Sequence, residues 1–202
     1  MMRRRLTTAV IAIAALLWAA TVAAMYRAVR KFESTPGRAA IARTDWPANS
    51  TIHRDSDWTL VMLVHPHCSC SRASVEELQR IIDKTPATMR SIILVYRPKE
   101  FAPGWEKTDV VNAAQHLARA KVILDEDGRE AKLFGGFTSG QTFLYDDHGA
   151  LRFSGGITML RGHAGSNRGS ADVIDIVRSR MASSAHPVFG CAITSSTEGA
   201  TR

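Results

Sequence analysis

The sequence predicts an α/β domain, a layered sandwich around a mixed sheet, preceded by one transmembrane helix. Three observations carry this expectation. No charged residue occurs from Leu6 to Tyr26. Beyond residue 50, short apolar runs alternate with segments of helical period, the order that builds parallel strands joined by helices. A hairpin pattern then precedes the last helix, which makes the sheet mixed.

The elements follow in chain order. LTTAVIAIAALLWAATVAAMY, residues 6–26, is 21 residues long, and a helix of that length crosses roughly 30 Å of hydrocarbon. A secretory signal peptide is the competing reading, because Val22-Ala23-Ala24 resembles a cleavage site; its apolar region would exceed the usual ~7–15 residues, which favours an uncleaved anchor. Residues 27–50 mix Arg, Ser, Thr, Pro, Gly and Ala without period and read as a linker. WTLVMLV (58–64) is a continuous apolar run ending before Pro66, the pattern of a strand buried on both faces. Val75, Leu78, Ile81 and Ile82 recur at helical spacing behind small polar residues suited to capping. SIILVY (91–96) is a second buried strand, Val110, Val111, Ala114 and Leu117 mark a weaker helix, and KVILD (121–125) is a third strand. A turn at Glu126-Asp127-Gly128 leads to a short helix with Ala131, Leu133 and Phe134. QTFLYD (141–146), Asp147-His148-Gly149 and ALRFSG (150–155) form the hairpin. A glycine-rich loop spans 155–169, and Ser170 is placed to cap a final helix with Val173, Ile174, Val177 and Met181 on its apolar side. The organisation expected is an anchor over 1–26, a linker over 27–50, a domain over 51–185 and a tail over 186–202.

Composition narrows the function classes. With 45% hydrophobic residues, 14 Gly, 7 Pro and 3 Cys in 202, the chain is neither collagen-like, nor a disordered polyelectrolyte, nor a disulfide-dense miniprotein. The net charge of +7 would suggest a nucleic-acid partner. Six of those charges, however, precede residue 51 and flank the apolar segment, so the domain beyond is nearly neutral and no nucleic acid is expected. Arg3, Arg4 and Arg5 argue for a cytoplasmic N-terminus although Arg27, Arg30 and Lys31 nearly balance them; the weak preference that the inside-positive rule gives puts the domain on the periplasmic or other extracytoplasmic side. No Walker sequence, nucleotide-binding glycine fingerprint or HExxH is present.

Cys68-Ser69-Cys70 is the most informative place. It lies between the first buried strand and the first helix, where free N–H groups and the helix dipole stabilise an anion. A thiolate is such an anion, so a cysteine there becomes a competent nucleophile. His65 and His67 are positioned to add charge or relay protons. Two cysteines two apart on a helix point about 200° from each other. A Cys68–Cys70 disulfide therefore needs non-helical backbone at Cys70 and would be strained and easily reduced. The alternative is a monothiol cycle at Cys68, with Cys70 or Cys191 resolving mixed disulfides. Cys191 itself reads as a structural or incidental thiol.

VMLVHPHCSCSRASVEEL, KVILDEDGREAKLFG and TFLYDDHGALRFSGGI, within about residues 55–182, resemble the thioredoxin-like superfamily, particularly its membrane-tethered bacterial members. The first of these segments is also similar to a RedB-like bacterial group carrying HPxCPCSRAS. The resemblance implies a thioredoxin-like three-layer sandwich and a thiol–disulfide oxidoreductase acting on protein thiols or disulfides without a cofactor. Aligned on Arg72-Ala73, it puts Cys68 at the nucleophilic position and Ser71 at the resolving one, with Cys70 one residue early. The family's cis-proline is missing from Thr138-Ser139-Gly140-Gln141-Thr142, where Gly140 or Gln141 takes its place, and HPH replaces the usual Trp before the first cysteine. The resemblance also puts the loop after the hairpin on the cysteine edge, so that Arg161, His163, Asn167 and Arg168 line the substrate approach, together with His65, Pro66, His67, Ser71 and Arg72 around the thiols.

Two other readings stand beside the oxidoreductase. His65, His67, Cys68 and Cys70, completed by His163, form a sulfur and imidazole set suited to Cu(I), and thioredoxin-fold copper chaperones of cytochrome oxidase assembly are likewise anchored, though their cysteines are spaced further apart. A partner-binding domain that keeps the fold without turnover is the third. A peroxidase is disfavoured by the absence of the family's Thr from HPHC.

Overall fold

In the computed structural model, which describes residues 2–41, 43–179 and 182–194, the apolar segment forms α1 (Met2–Ser34), long and apolar enough to cross a membrane. The helix does not stop near residue 26. Residues 27–34 contain neither Gly nor Pro, and the first helix breaker is Pro36. Residues 1–35 and 36–202 are separate compact units.

The second unit contains β1 (Trp58–Val64), α2 (Cys70–Lys84), β2 (Met89–Arg97), α3 (Asp109–Gln115), β3 (Ala120–Glu126), α4 (Arg129–Leu133), β4 (Gln141–Tyr145), β5 (Leu151–Gly156), α5 (Arg168–Ser179) and β6 (Ser184–Ala185). The sheet order is β3-β2-β1-β4-β5-β6. β1 runs parallel to β2, with Val64 opposite Val95, and antiparallel to β4, with Val61 opposite Phe143. This is the mixed-sheet α/β sandwich the sequence predicts, consistent with a thioredoxin-like fold.

Period-2 alternation divides the strands between two cores. Leu60, Met62, Val64, Ile93, Val95, Leu144 and Phe153 face α2, α3 and α5, meeting Leu78, Ile81, Val111, Ala114, Val173 and Ile176. Val61, Leu63, Ile92, Leu94, Phe143 and Tyr145 face the other way, toward Ala131 of α4, Phe134 and Ile193. Every residue of β1 is buried, as its unbroken apolar run requires.

Residues 36–50 are not a free linker. Trp46 sets its ring edge-on to Phe134 and Tyr145, at 4.9 and 5.0 Å, and so roofs the second core. Backbone bonds from Ile41 N–H to Gly135 O and from Leu151 N–H to Thr44 O hold the segment down. Two further expectations change. Asn167, not Ser170, caps α5: its side-chain oxygen accepts the Ser170 N–H at 2.8 Å. Residues 186–194 form a bonded arm rather than a loose tail, with Val188 and Ile193 each 2% exposed. Met181 lies outside the described residues.

Candidate functional site

β1 delivers the chain to the carboxyl edge of the sheet, where two turns bring it into α2. The Cys68 N–H bonds to His65 O at 3.1 Å, and the Ser71 N–H bonds to Cys68 O at 3.0 Å. Ser69, the N-cap, is already helical (φ −59°, ψ −28°) and makes no side-chain cap bond. With the Ser71 N–H taken by Cys68 O, the Cys70 N–H at the helix start is the one turned to the Cys68 sulfur. Cys68 and Cys70 are 3% and 5% exposed.

The third wall of the site is the C-terminal arm. His186 N–H bonds to Ser154 O, Gly156 N–H to Pro187 O, Ser139 N–H to Cys191 O at 2.8 Å, and Ile193 N–H to Phe137 O. At Gly190 a Cβ would meet the Ser139 carbonyl oxygen at 1.9 Å, so only glycine lets the arm lie this close. The result puts Cys191 Sγ 2.9 Å from Cys68 Sγ. All three cysteines are free thiols, and their sulfurs lie within 4.8 Å of one another.

Electrostatics set the three thiols apart. Burial works to raise the Cys68 pKa, but hydrogen bonds from the Cys191 thiol, the N–H groups of Cys191 and Cys70, and the Ser71 hydroxyl outweigh it and hold Cys68 below the ordinary thiol value. Cys70 is pushed up by burial and by its neighbour Cys68. Cys191 is pushed up to about 12 by burial, then by the hydrogen bond to Cys68 and its negative charge. Arg161 opposes both upward shifts, and its guanidinium donates to Gly190 O. The arrangement offers one stabilised thiolate against two thiols that keep their protons.

The predicted residues divide into those at the sulfurs and those that frame them. Ser71 is buried against Ser139, oxygen to oxygen 2.7 Å, and has one hydroxyl proton for which His65 O and the Cys68 sulfur compete. His65 stacks on Tyr96 at 5.6 Å and accepts the His67 N–H at Nδ1. Burial, and then His67, push its pKa down, so His65 is neutral near pH 7 and adds no positive charge. His67 packs on Trp105 at 4.4 Å and donates from Nε2 to its carbonyl. Pro66 accepts a bond from Thr108, and Arg72 pairs with Asp109 at 3.8 Å on an exposed surface.

Gly140 adopts φ +87° and donates to Leu63 O, while a Cβ there would meet Ser74 Oγ at 2.8 Å. Gln141 is buried, with its amide on Ser154 rather than on a sulfur. Asn167 and the Gly165 N–H both bond the buried Glu77, which pins the glycine-rich loop to α2. His163 is exposed, and the three-donor cluster among the described residues is Cys68, Cys70 and Cys191, without a histidine. Sequence reasoning offered Cys191 only as an alternative resolving cysteine or an incidental thiol, and gave Ser139 and Gly190 no role at the site. The sequence signal for them was slight: an odd third cysteine behind a glycine in HPVFGC.

No protein-family model matches the sequence, and no curated protein matches it significantly. Several solved structures are similar in fold. A conserved protein of Geobacillus kaustophilus, described as uncharacterized, superposes with a TM-score of 0.57 at 17% identity, over 81% of this chain and 94% of that one. A hypothetical protein of Sinorhizobium meliloti 1021 gives a TM-score of 0.54 at 18% identity, over 79% and 93%. A secreted Mycobacterium tuberculosis disulfide oxidoreductase homologous to E. coli DsbE gives 0.42 at 12% identity, over 60% and 80%. What the first two share with this chain is the fold.

Proposed function

We propose that the chain is a membrane-anchored, extracytoplasmic thiol–disulfide oxidoreductase that acts on protein thiols or disulfides through Cys68. One observation carries the reading: the Cys68 sulfur sits at an uncapped helix start, receives N–H groups from Cys70 and Cys191, and is the one thiol of the three whose pKa is lowered. A thiolate held this way is both the better nucleophile near neutral pH and the better leaving group in exchange. Support for the anchor comes from α1, and support for a cytoplasmic N-terminus from Arg3 to Arg5. The test is turnover of a model protein disulfide by the reduced full-length protein in detergent micelles. Loss of turnover in Cys68→Ser is the expected result; retention overturns the reading.

A second reading, Cu(I) handling, is favoured by the cluster of three sulfurs, a soft donor set that suits Cu(I). Two thiolates on one ion at ~2.3 Å stand about 3.8 Å apart. The 2.9 Å approach of Cys68 and Cys191 must therefore open before both could bind. Stoichiometric capture of Cu(I) by the reduced protein against a competing chelator, lost in Cys191→Ser, would support this reading over the first.

A further inference from the structure

We infer that Cys191, carried on the C-terminal arm, is the resolving cysteine of Cys68, and that Cys70 is not. The inference rests on the oxidoreductase reading and names the second half of its chemistry. The two sulfurs lie 2.9 Å apart, although 123 residues separate them in the chain. Main-chain bonds on both sides of Cys191, together with the Gly190 contact on Ser139, fix the arm at that approach without help from the sulfurs. Cys70 has no comparable freedom. Its sulfur lies within 4.8 Å of Cys68 Sγ, but Cys70 opens α2 and the Ser71 N–H to Cys68 O bond keeps residues 68–71 in helical turn, so a Cys68–Cys70 disulfide would have to unwind that turn.

In the reducing direction the Cys68 thiolate attacks one sulfur of a polypeptide disulfide. A Cys68–substrate bond forms, the substrate S–S bond breaks, and the first substrate thiolate leaves and takes a proton. With the Cys68 charge spent in the mixed disulfide, one cause of the raised Cys191 value is gone; Cys191 then gives its proton to water beside Arg161, and its thiolate attacks Cys68 Sγ. The mixed disulfide breaks, the second substrate thiolate leaves, and a Cys68–Cys191 disulfide remains. Two electrons have passed from the protein dithiol to the substrate. A dithiol of a second polypeptide reverses the exchange and resets the site. Throughout, Cys70 contributes its N–H to the Cys68 sulfur, and Arg161 holds positive charge beside the Cys191 thiolate as it forms.

The experiment oxidises the reduced full-length protein in detergent with one equivalent of a soluble aromatic disulfide, blocks remaining thiols by alkylation, and maps the linkages by peptide mass spectrometry. The expected product is a Cys68–Cys191 link with Cys70 alkylated. Cys70→Ser should give the same link, and Cys191→Ser should instead accumulate the reagent on Cys68. Because the Ser139 to Cys191 bond is main-chain, Cys191→Ser keeps the arm in place. A Cys68–Cys70 link in the wild type, or its formation at equal rate in Cys191→Ser, overturns the inference. Turnover of protein disulfides with a Cys68–Cys70 link would leave the oxidoreductase reading intact and remove only the role of Cys191. A Cys68–Cys191 link without any turnover would keep the pairing and remove the function.

Discussion

Oxidation should protect the folded chain by an amount that depends on which sulfurs it joins. A bond between Cys68 and Cys191 closes a loop across a separation of 123 residues. The chain-entropy relation assigns such a crosslink about 5 kcal/mol at 25 °C, because it removes so many conformations from the unfolded chain. The same relation gives about 1.6 kcal/mol for the three-residue loop of a Cys68–Cys70 bond. The folded arm is already held by its main-chain bonds, so little native-state rearrangement should subtract from the larger figure. With a guanidinium slope of about 4 kcal/mol/M, the midpoint should rise by a little over 1 M for the first pairing and by about 0.4 M for the second. The assay is guanidinium unfolding of full-length protein in detergent, reduced and oxidised, followed by the fluorescence of the tryptophans. Oxidised Cys70→Ser should keep the full rise, and Cys191→Ser should lose most of it. A rise near 0.4 M in the wild type, or a full rise that survives in Cys191→Ser, would refute the reasoning.

The remaining predictions concern the parts that hold the thiols. Gly190→Ala should push the arm off the Ser139 carbonyl, cost about 1–3 kcal/mol by overpacking, and slow Cys68–Cys191 formation; unchanged midpoints and linkage rates would show that the close approach is unimportant. Glu77→Ala should orphan the Gly165 N–H and remove one of the acceptors of the Asn167 amide, at a cost of about 2 kcal/mol, with faster hydrogen exchange over residues 158–167; exchange confined to its wild-type rate would contradict this. Ser71→Ala removes one donor to Cys68, so the pH midpoint of Cys68 alkylation should rise toward the 9.0 of an ordinary thiol. An unmoved midpoint would assign the Ser71 proton to His65 O. The reduced protein should also show a two-sided pH profile. Cys68, depressed on folding, stabilises the fold above the unfolded thiol value of 9.0 and loses that contribution as pH falls through its lowered folded value. Cys191, raised on folding, stabilises below 9.0 and loses its contribution as pH climbs to about 12. Midpoints measured from pH 7 to 11 should therefore fall on the alkaline side, and Cys191→Ser should flatten that fall.

Much of the fold could be read locally. The run WTLVMLV coincides with β1 because a strand covered on both faces is apolar almost throughout, here with Thr59 as its one polar residue, and the alternating runs further on give β2 to β5 within two residues. Local pattern failed where context supplied the structure. Residues 27–34 lack an amphipathic stripe yet continue α1, since nothing in them breaks a helix. Residues 36–50 look like linker because their few apolar groups, Ala40 and Trp46 among them, are spaced irregularly; they cover a core built by other elements.

The candidate site divides in the same way. Sequence by itself determined that a cysteine stands between a buried strand and a helix, because strand, turn and helix start are set by adjacent residues. From that, the thiolate-stabilising position of Cys68 follows, as does the poor geometry of a Cys68–Cys70 bond. Only the tertiary structure decided that Cys191 brings its sulfur to 2.9 Å from Cys68, that Arg161 rather than the neutral His65 is the charge beside the thiols, and that Ser139 and Gly190 seat the arm. These depend on the register of an irregular arm against Ser154, Gly156 and Ser139, contacts between residues far apart in the chain that no local period encodes. The nucleophile is a property of its own turn, while its partner is a property of the whole fold.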